Sequence, residues 1–208
     1  MCGRYYIQES PLLEPVLEAM NRSPLMPRFR ERGDAAGAGE IRPAQVAPVI
    51  ALSRSGRQTV FPMRWGFGGK RLLINARTET AAERPTFREA WASHRCVIPA
   101  SWYYEWEHIA GPDGRKKTGP QYTLRPAGEE IAWLCGLYRM EAGLPCYVIL
   151  TREPGESIRF IHDRMPLMLP EGLIGEWIRP GGRPEALLPY ARTDIQYEKT
   201  ARPVGEGR

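Results

Sequence analysis

Apolar residues in this chain gather in short runs or alternate with polar ones, and helical spacing is confined to a few brief segments. QVAPVIAL (residues 45–52) and QTVFPMRWGF (58–67) have the character of strands, separated by the turn-forming SRSGR. RCVIPASWYYEWEH (95–108) is the richest strand candidate, and PQYTLRPA (120–127), IAWLCGLY (131–138) and CYVILT (146–151) follow it. GPDGRKKTG (111–119) reads as a hairpin loop by composition. Helical segments are expected in SPLLEPVLEAM, with Ser10 as N-cap, Pro11 at the first helical position and Leu12, Val16 and Met20 on one face. TFREAWASH, ESIRFIH and EGLIGEWI are further short helices, whereas residues 22–40, mixing Pro, Arg and Gly, read as a mobile surface loop. Neither an internal repeat nor a linker divides the chain, so residues 1–208 are expected to form one domain. The expected fold is α+β: a mixed, largely antiparallel sheet wrapped as a barrel-like core with a few flanking helices.

Composition supports this picture and adds to it. A chain of 208 residues is long enough to bury a core without staples, and 21 glycines with 20 prolines favour a loop-rich fold over a helical bundle. No apolar stretch is long enough to span a bilayer and no signal pattern opens the chain, so a soluble cytoplasmic protein is expected. The four cysteines (Cys2, Cys96, Cys135 and Cys146) form no CxxC pair, and histidines are limited to His94, His108 and His162. Neither a disulfide framework nor a metal site is expected, and no cofactor is implied. The net charge is +5, carried mostly by arginine, whose planar fork suits phosphates. A nucleic-acid partner and a genome that favours arginine codons explain this equally well.

The candidate chemistry begins at MCGRYYIQ. If Met1 is removed, Cys2 exposes an α-amine and a thiol, with ordinary pKa values of about 7.7–8.0 and about 8.5, on one residue. Together they can trap an aldehyde, the amine forming an imine and the thiol closing a five-membered thiazolidine. Gly3 beside it permits close approach of a substrate. The tripeptide alone fits a cysteine buried in a first strand at least as well. In SWYYEWE, strand alternation puts Ser101, Tyr103, Glu105 and Glu107 on one face and Trp102, Tyr104 and Trp106 on the other. Glu105 is then either a solvated carboxylate or one desolvated enough by aromatics to shuttle protons. His162, in FIHDRMPLML, is a structural histidine or a general acid, with Arg164 beside it suited to a phosphate. Asn75, in LLINARTET, is a turn former or a neutral group that orients an amine.

MCGRY, WGF, INARTET, RCVIPASWYYEW and IHDRMP, in that order, resemble the SRAP (SOS response-associated peptidase) family from Cys2 through about Pro170. The resemblance implies that a mature N-terminal cysteine bonds covalently to the ring-opened abasic site of single-stranded DNA. Cys2 would supply the nitrogen and sulfur of a thiazolidine, and Asn75 would hold the amine and the sugar. Glu105 would handle the imine-forming protons, and His162 would open the closed sugar and assist reversal. Arg4, Arg77 and Arg164 match phosphate-gripping positions; Trp65, Thr151 and, more weakly, Pro43 match positions that line the DNA groove. The implied partner is single-stranded DNA containing abasic sites, bound by a monomer that is nucleoid-associated when on DNA, with no metal. The word peptidase would refer to Met1 removal, with lyase activity at abasic sites a further expectation.

The chain departs from the pattern at GGKRLL (68–73), shorter than the aromatic-bearing loop of many relatives, at Trp102 where glycine is common, and after residue 180. Two other readings remain. An N-terminal-nucleophile amidohydrolase such as a glutamine amidotransferase also begins Met-Cys-Gly, its thiol attacking an amide. A non-catalytic nucleic-acid-binding module would make Cys2 dispensable.

Overall fold

The computed structural model of the protein describes residues 2–34, 37–110 and 116–200. Its strands are β1 (Arg4–Ile7), β2 (Gly39–Ile41), β3 (Val46–Leu52), β4 (Gln58–Trp65), β5 (Asn75–Arg77), β6 (Arg95–Ala100), β7 (Trp102–Ala110), β8 (Lys116–Pro126), β9 (Ala132–Glu141), β10 (Leu144–Arg152), β11 (Met165–Pro166) and β12 (Ile195–Lys199). Short helices α1 (Glu14–Asn21), α2 (Met26–Glu31), α3 (Thr78–Ala81), α4 (Arg88–Ser93) and α5 (Ile174–Trp177) lie between them, with 3-10 turns at Glu156–Ile158, Glu171–Leu173 and Pro184–Tyr190.

The expected α+β class and the largely antiparallel barrel are what the structure shows. β3 pairs with β4 and β6, β6 with β9, and β9 with β10, all antiparallel; a parallel pairing of β10 with β4 closes the ring of five. Closure removes the two free edges such a sheet would otherwise expose. β5 joins β10 in parallel and β11 joins it antiparallel, outside the ring. A second, open sheet has the order β12-β8-β7-β1-β2. Alternate residues of the barrel strands feed two apolar clusters. Ala47, Val49, Ile98 and Ile149 pack with Tyr5, Ile7 and Tyr103 of the second sheet; Ile50, Val97, Val148 and Leu150 pack with Trp91 of α4 and Trp177 of α5.

Several expected boundaries change. The candidate strand 95–108 is two strands, because the chain leaves the barrel at Ser101 and enters the second sheet. Ser101 fastens the crossing: its N–H donates to the Tyr6 carbonyl and its Oγ accepts from the Gln8 N–H at 2.9 Å. The first helix begins at Glu14 rather than Pro11, after a turn in which the Ser10 carbonyl accepts from the Leu13 and Glu14 amides. Its inward residues are Leu13 and Met20, and Leu12 is exposed. The expected loop at 22–40 contains α2 and β2, since Met26 and Phe29 bury themselves with Val46 and Leu144; residues 35 and 36 lie outside the described set. Of the hairpin loop at 111–119, residues 116–119 belong to β8 and 111–115 lie outside the described residues. The chain beyond residue 180 supplies β12, an edge strand on β8.

One buried cation ties the helical layer to the barrel. Arg95, at the start of β6, is 2% exposed, and its guanidinium donates to the carbonyls of Trp177 (2.6 Å), Trp91 (2.5 Å), Ala92 (3.1 Å) and Arg179. Removing it strands those acceptors in a dry layer. Arg95→Met is therefore expected to destabilise the protein by about 3 kcal/mol or more, measured as a shift of the denaturant midpoint.

Candidate active site around Cys2

Cys2 precedes β1, and β1 lies between β2 and β7 in the second sheet. The residue is fully buried, its Sγ 3.6 Å from the Arg4 carbonyl oxygen. Its own carbonyl accepts a 2.8 Å hydrogen bond from Asn75 Nδ2. Asn75 opens β5 where that short strand runs parallel to β10, opposite Ile149. Trp65 fixes this approach from below: its indole Nε1–H donates to the Ile74 carbonyl at 2.9 Å. The Asn75 Oδ1 is buried with no hydrogen-bond partner among the described residues, an acceptor left unused on the same side chain that holds Cys2.

Glu105 comes from β7. The Tyr5–Tyr103 and Arg4–Tyr104 pairings carry it past the end of β1 towards Cys2. Of the two faces read from alternation, the one holding Tyr103 and Glu105 is buried and the aromatic one is half-buried. Glu105 is 5% exposed, and burial raises its pKa above the ordinary carboxylate value, with Asp163 adding to the rise. The Cys2 thiol is pushed well above its ordinary value, chiefly by burial and secondarily by the Glu105 charge. The thiol is thus a protonated group at neutral pH, with the Glu105 carboxyl within electrostatic reach of it.

His162 lies just after the Glu156–Ile158 turn. Its Nε2 is 3.8 Å from Glu105 Oε1, and its Nδ1 is 2.8 Å from Asp163 Oδ1 and 3.0 Å from the Arg164 amide nitrogen. Nδ1 therefore faces both an acceptor and a donor. The imidazolium can give its Nδ1–H to Asp163, and the neutral ring can accept from Arg164, so either protonation state is supported. His108, to which the sequence assigns no role, lies against His162 with ring centroids 4.0 Å apart and the ring planes tilted by 50°. Ligand-type atoms of His108, His162 and Asp163 lie within 4.8 Å of one another, an arrangement that could hold a metal ion.

The expected DNA-gripping residues divide into two sets. Arg77 is exposed at the end of β5, opposite Thr151 of β10. Arg4 is half-buried, with its guanidinium 5.2 Å from the centre of the Trp106 ring and 3.5 Å from Glu40. Pro43 is half-buried in the turn between β2 and β3. Arg164 is engaged within the protein: it makes two 2.8 Å hydrogen bonds to the Glu79 carboxylate and one of 2.5 Å to the Thr151 carbonyl. Desolvation opposes ionisation of Glu79, but the Arg164 hydrogen bonds prevail and hold its carboxyl below the ordinary value. Trp65 and Thr151, expected along the groove, are both fully buried and present no surface to a ligand here. Trp65 stacks near Tyr147 and holds Ile74; Thr151 accepts from Thr78 and Arg164. Trp102, at the atypical position, stacks on Tyr6 at 4.5 Å with an interplanar angle of 4°. The short 68–73 segment is tied down by the Gly68 amide, which donates to Glu141.

Burial of Glu105 carries a pH signature. Because its folded-state pKa is raised, the folded protein binds the Glu105 proton more tightly than the unfolded chain does. The penalty for burying the charge is absent below the unfolded value of about 4.3 and grows as pH rises through the window up to the raised value. Glu105→Gln removes that penalty. The variant is expected to gain thermal stability relative to wild type as pH rises through this window, to keep that gain above it, and to show little difference at pH 3.5, in paired melting curves.

Beside this barrel a cysteine, a buried carboxyl with a raised pKa and an imidazole are gathered in one place. The family model of SOS response associated peptidase (SRAP) matches residues 1–206, and the chain belongs to that family. It is 30% identical over 221 residues to the abasic site processing protein YoaM of Bacillus subtilis, covering 94% of this chain and 89% of that protein. It is 32% identical over 149 residues to the abasic site processing protein YedK of Escherichia coli, covering 68% of this chain and 65% of that one. A phage-related protein from Bordetella bronchiseptica has the same fold, with a TM-score of 0.71 at 22% identity over 98% of this chain and 96% of that one. Among the described residues no helix is long and apolar enough to cross a membrane.

Proposed function

We propose that the protein processes abasic sites in single-stranded DNA by forming a thiazolidine between Cys2 and the ring-opened sugar. The observation that carries this reading is the hydrogen bond from Asn75 to the Cys2 carbonyl, which fixes the N-terminal residue beside the Glu105–His162 pair. Removal of Met1, which lies outside the described residues, is a required first step, since it frees the α-amine.

The electrostatics supports one order of events. A buried thiol with a raised pKa is a poor first nucleophile, so the amine attacks first. His162 moves the proton that opens the sugar hemiacetal to its aldehyde. The Cys2 amine adds to the carbonyl carbon, and Glu105 delivers a proton to the departing hydroxyl, so one water leaves and an imine forms. The thiol then adds across the C=N bond: sulfur bonds to carbon, and the thiol proton passes through Glu105 to nitrogen. The net change is loss of one water. Asn75 Oδ1, buried and free to accept, is placed to hold an amine or sugar hydrogen during these steps. The same raised thiol pKa argues against direct thiolate attack on an amide, as a glutamine amidotransferase requires.

The test compares a strand containing an abasic site with one carrying its tetrahydrofuran analogue, which has no aldehyde, on a denaturing gel. Covalent capture of the first and none of the second is expected; capture of both, or of neither, refutes the aldehyde chemistry. Arg77, exposed beside the site, is assigned to a phosphate. Arg77→Ala is expected to weaken binding of all sequences alike and to lower the salt-dependence slope by about 1, read from titrations at several salt concentrations.

A further inference from the structure

Beside the site is a group of three rings that the chemistry above does not use. Tyr122 of β8 lies directly opposite Glu105 of β7 and opposite Lys199 of β12, so one row of the second sheet runs Glu105–Tyr122–Lys199. Directly paired residues point to the same face. The next row places Tyr197 opposite Leu124, on that same face. Phe160, two residues before His162, folds over this face. Its ring centroid is 5.9 Å from Tyr122 and 5.3 Å from Tyr197, and Tyr122 and Tyr197 are 5.8 Å apart. The interplanar angles are 89°, 68° and 78°, so the rings meet edge to face and fix one another's orientation. Tyr122 is anchored further by its hydroxyl, which donates to Glu107 at 3.0 Å.

The cluster nevertheless stays open to solvent. Phe160 is 48% exposed and Tyr197 is 42% exposed, while Tyr122 beneath them is buried. Two large rings held against a buried third, with nearly half their surface wet, form an exposed apolar shelf on which either ring can offer a face. The shelf is continuous with the candidate site through Glu105–Tyr122 and Phe160–His162. It ends at the exposed cation Lys199, two strand spacings or roughly 10 Å from the Glu105 backbone.

From this placement we infer that Phe160 and Tyr197 form a stacking platform for the nucleobase next to the abasic sugar, with Lys199 set to meet the phosphate beyond it. The inference rests on the proposed abasic-site chemistry and adds a subsite to it. Every base has a π-face, so the platform accepts any sequence, and it would register a strand whose lesion offers no base to read.

The test uses single strands with a 2-aminopurine on either side of a tetrahydrofuran, which reports stacking without any covalent step, alongside crosslinking rates on abasic strands. Variants are Phe160→Leu and Tyr197→Leu, which keep apolar volume, and the double variant, with folding checked by melting temperature. Wild type is expected to quench the probe on one side of the lesion. Each variant is expected to lose most of that quenching and to need about tenfold more DNA for half-maximal crosslinking, with the maximal rate retained. Quenching that survives in the double variant, or half-saturation unchanged when bases flanking the lesion are replaced by tetrahydrofurans, overturns the platform. Wild-type protein that stacks the probe but never crosslinks abasic DNA would instead remove the underlying chemistry, a separate outcome of the same experiment.

Discussion

Cys2→Ser is expected to eliminate the heat- and detergent-stable adduct with abasic DNA, a loss of at least about 100-fold in capture after a fixed time. The substitution keeps the α-amine, so imine formation remains possible. What it removes is the second bond. A hydroxyl is a far weaker nucleophile than a thiol, and its five-membered oxygen analogue opens readily. Borohydride should therefore trap the variant as a reduced imine where wild type needs no trapping. Serine is close to isosteric with cysteine, so the buried position survives the change, and melting curves would confirm an intact fold. A serine variant that forms the stable adduct at the wild-type rate would remove sulfur from the mechanism.

The second large effect is expected at Glu105. Glu105→Gln keeps the shape of the side chain and its place opposite Tyr122, and removes only the ability to exchange a proton. General acid–base groups contribute typically about 100- to 10,000-fold, and dehydration to the imine cannot proceed without delivery of a proton to the leaving hydroxyl. The crosslinking rate at neutral pH should fall by at least about 100-fold, with DNA affinity little changed. Because burial raises the Glu105 pKa, more of its acid form persists towards neutrality than for a surface glutamate, which suits a group that must both give and take a proton. The limb of the pH–rate profile that belongs to this carboxyl should vanish in the variant. A retained limb would assign that titration to His162.

Much of the fold could be read from local pattern, because a strand's two-residue period and its turn residues are local. The strands of β3, β4, β9 and β10 are where alternation and apolar runs put them. What pattern could not supply is pairing across distance. The parallel contact of β10 with β4, which closes the barrel, joins Cys146 to Arg64 and leaves no mark on either segment alone. The break at Ser101 was hidden for a related reason: alternation continues through it, and only its hydrogen bonds to Tyr6 and Gln8 show a crossing between sheets. Residues 26–31 read as loop because Pro27 and two arginines, Arg28 and Arg30, dilute the signal, yet Met26 and Phe29 are enough to bury one face of α2.

Residue type and motif singled out side chains one at a time, and their proximity is visible only in the structure. The structure brings Cys2, Asn75, Glu105 and His162 together from four separate segments. Trp65 was placed in the groove because it sits in a matching motif, whereas its indole is spent on Ile74 inside the core. Arg164 keeps its position beside His162, but Glu79, 85 residues away in sequence, engages its fork. His108 was missed because strict alternation assigns it to the face opposite Glu105; the register shift between Trp106 and His108 lies just there. A lone histidine in a strand carries no signal that would reveal its ring contact with His162.

The most direct test of the central claim is the intact mass of the complex formed with a single-stranded oligonucleotide carrying one abasic site. The account predicts one species whose mass equals the protein without Met1 plus the oligonucleotide, less one water, with fragmentation placing the added mass on Cys2. A covalent complex that retains Met1, or that carries the DNA on any other residue, would contradict it.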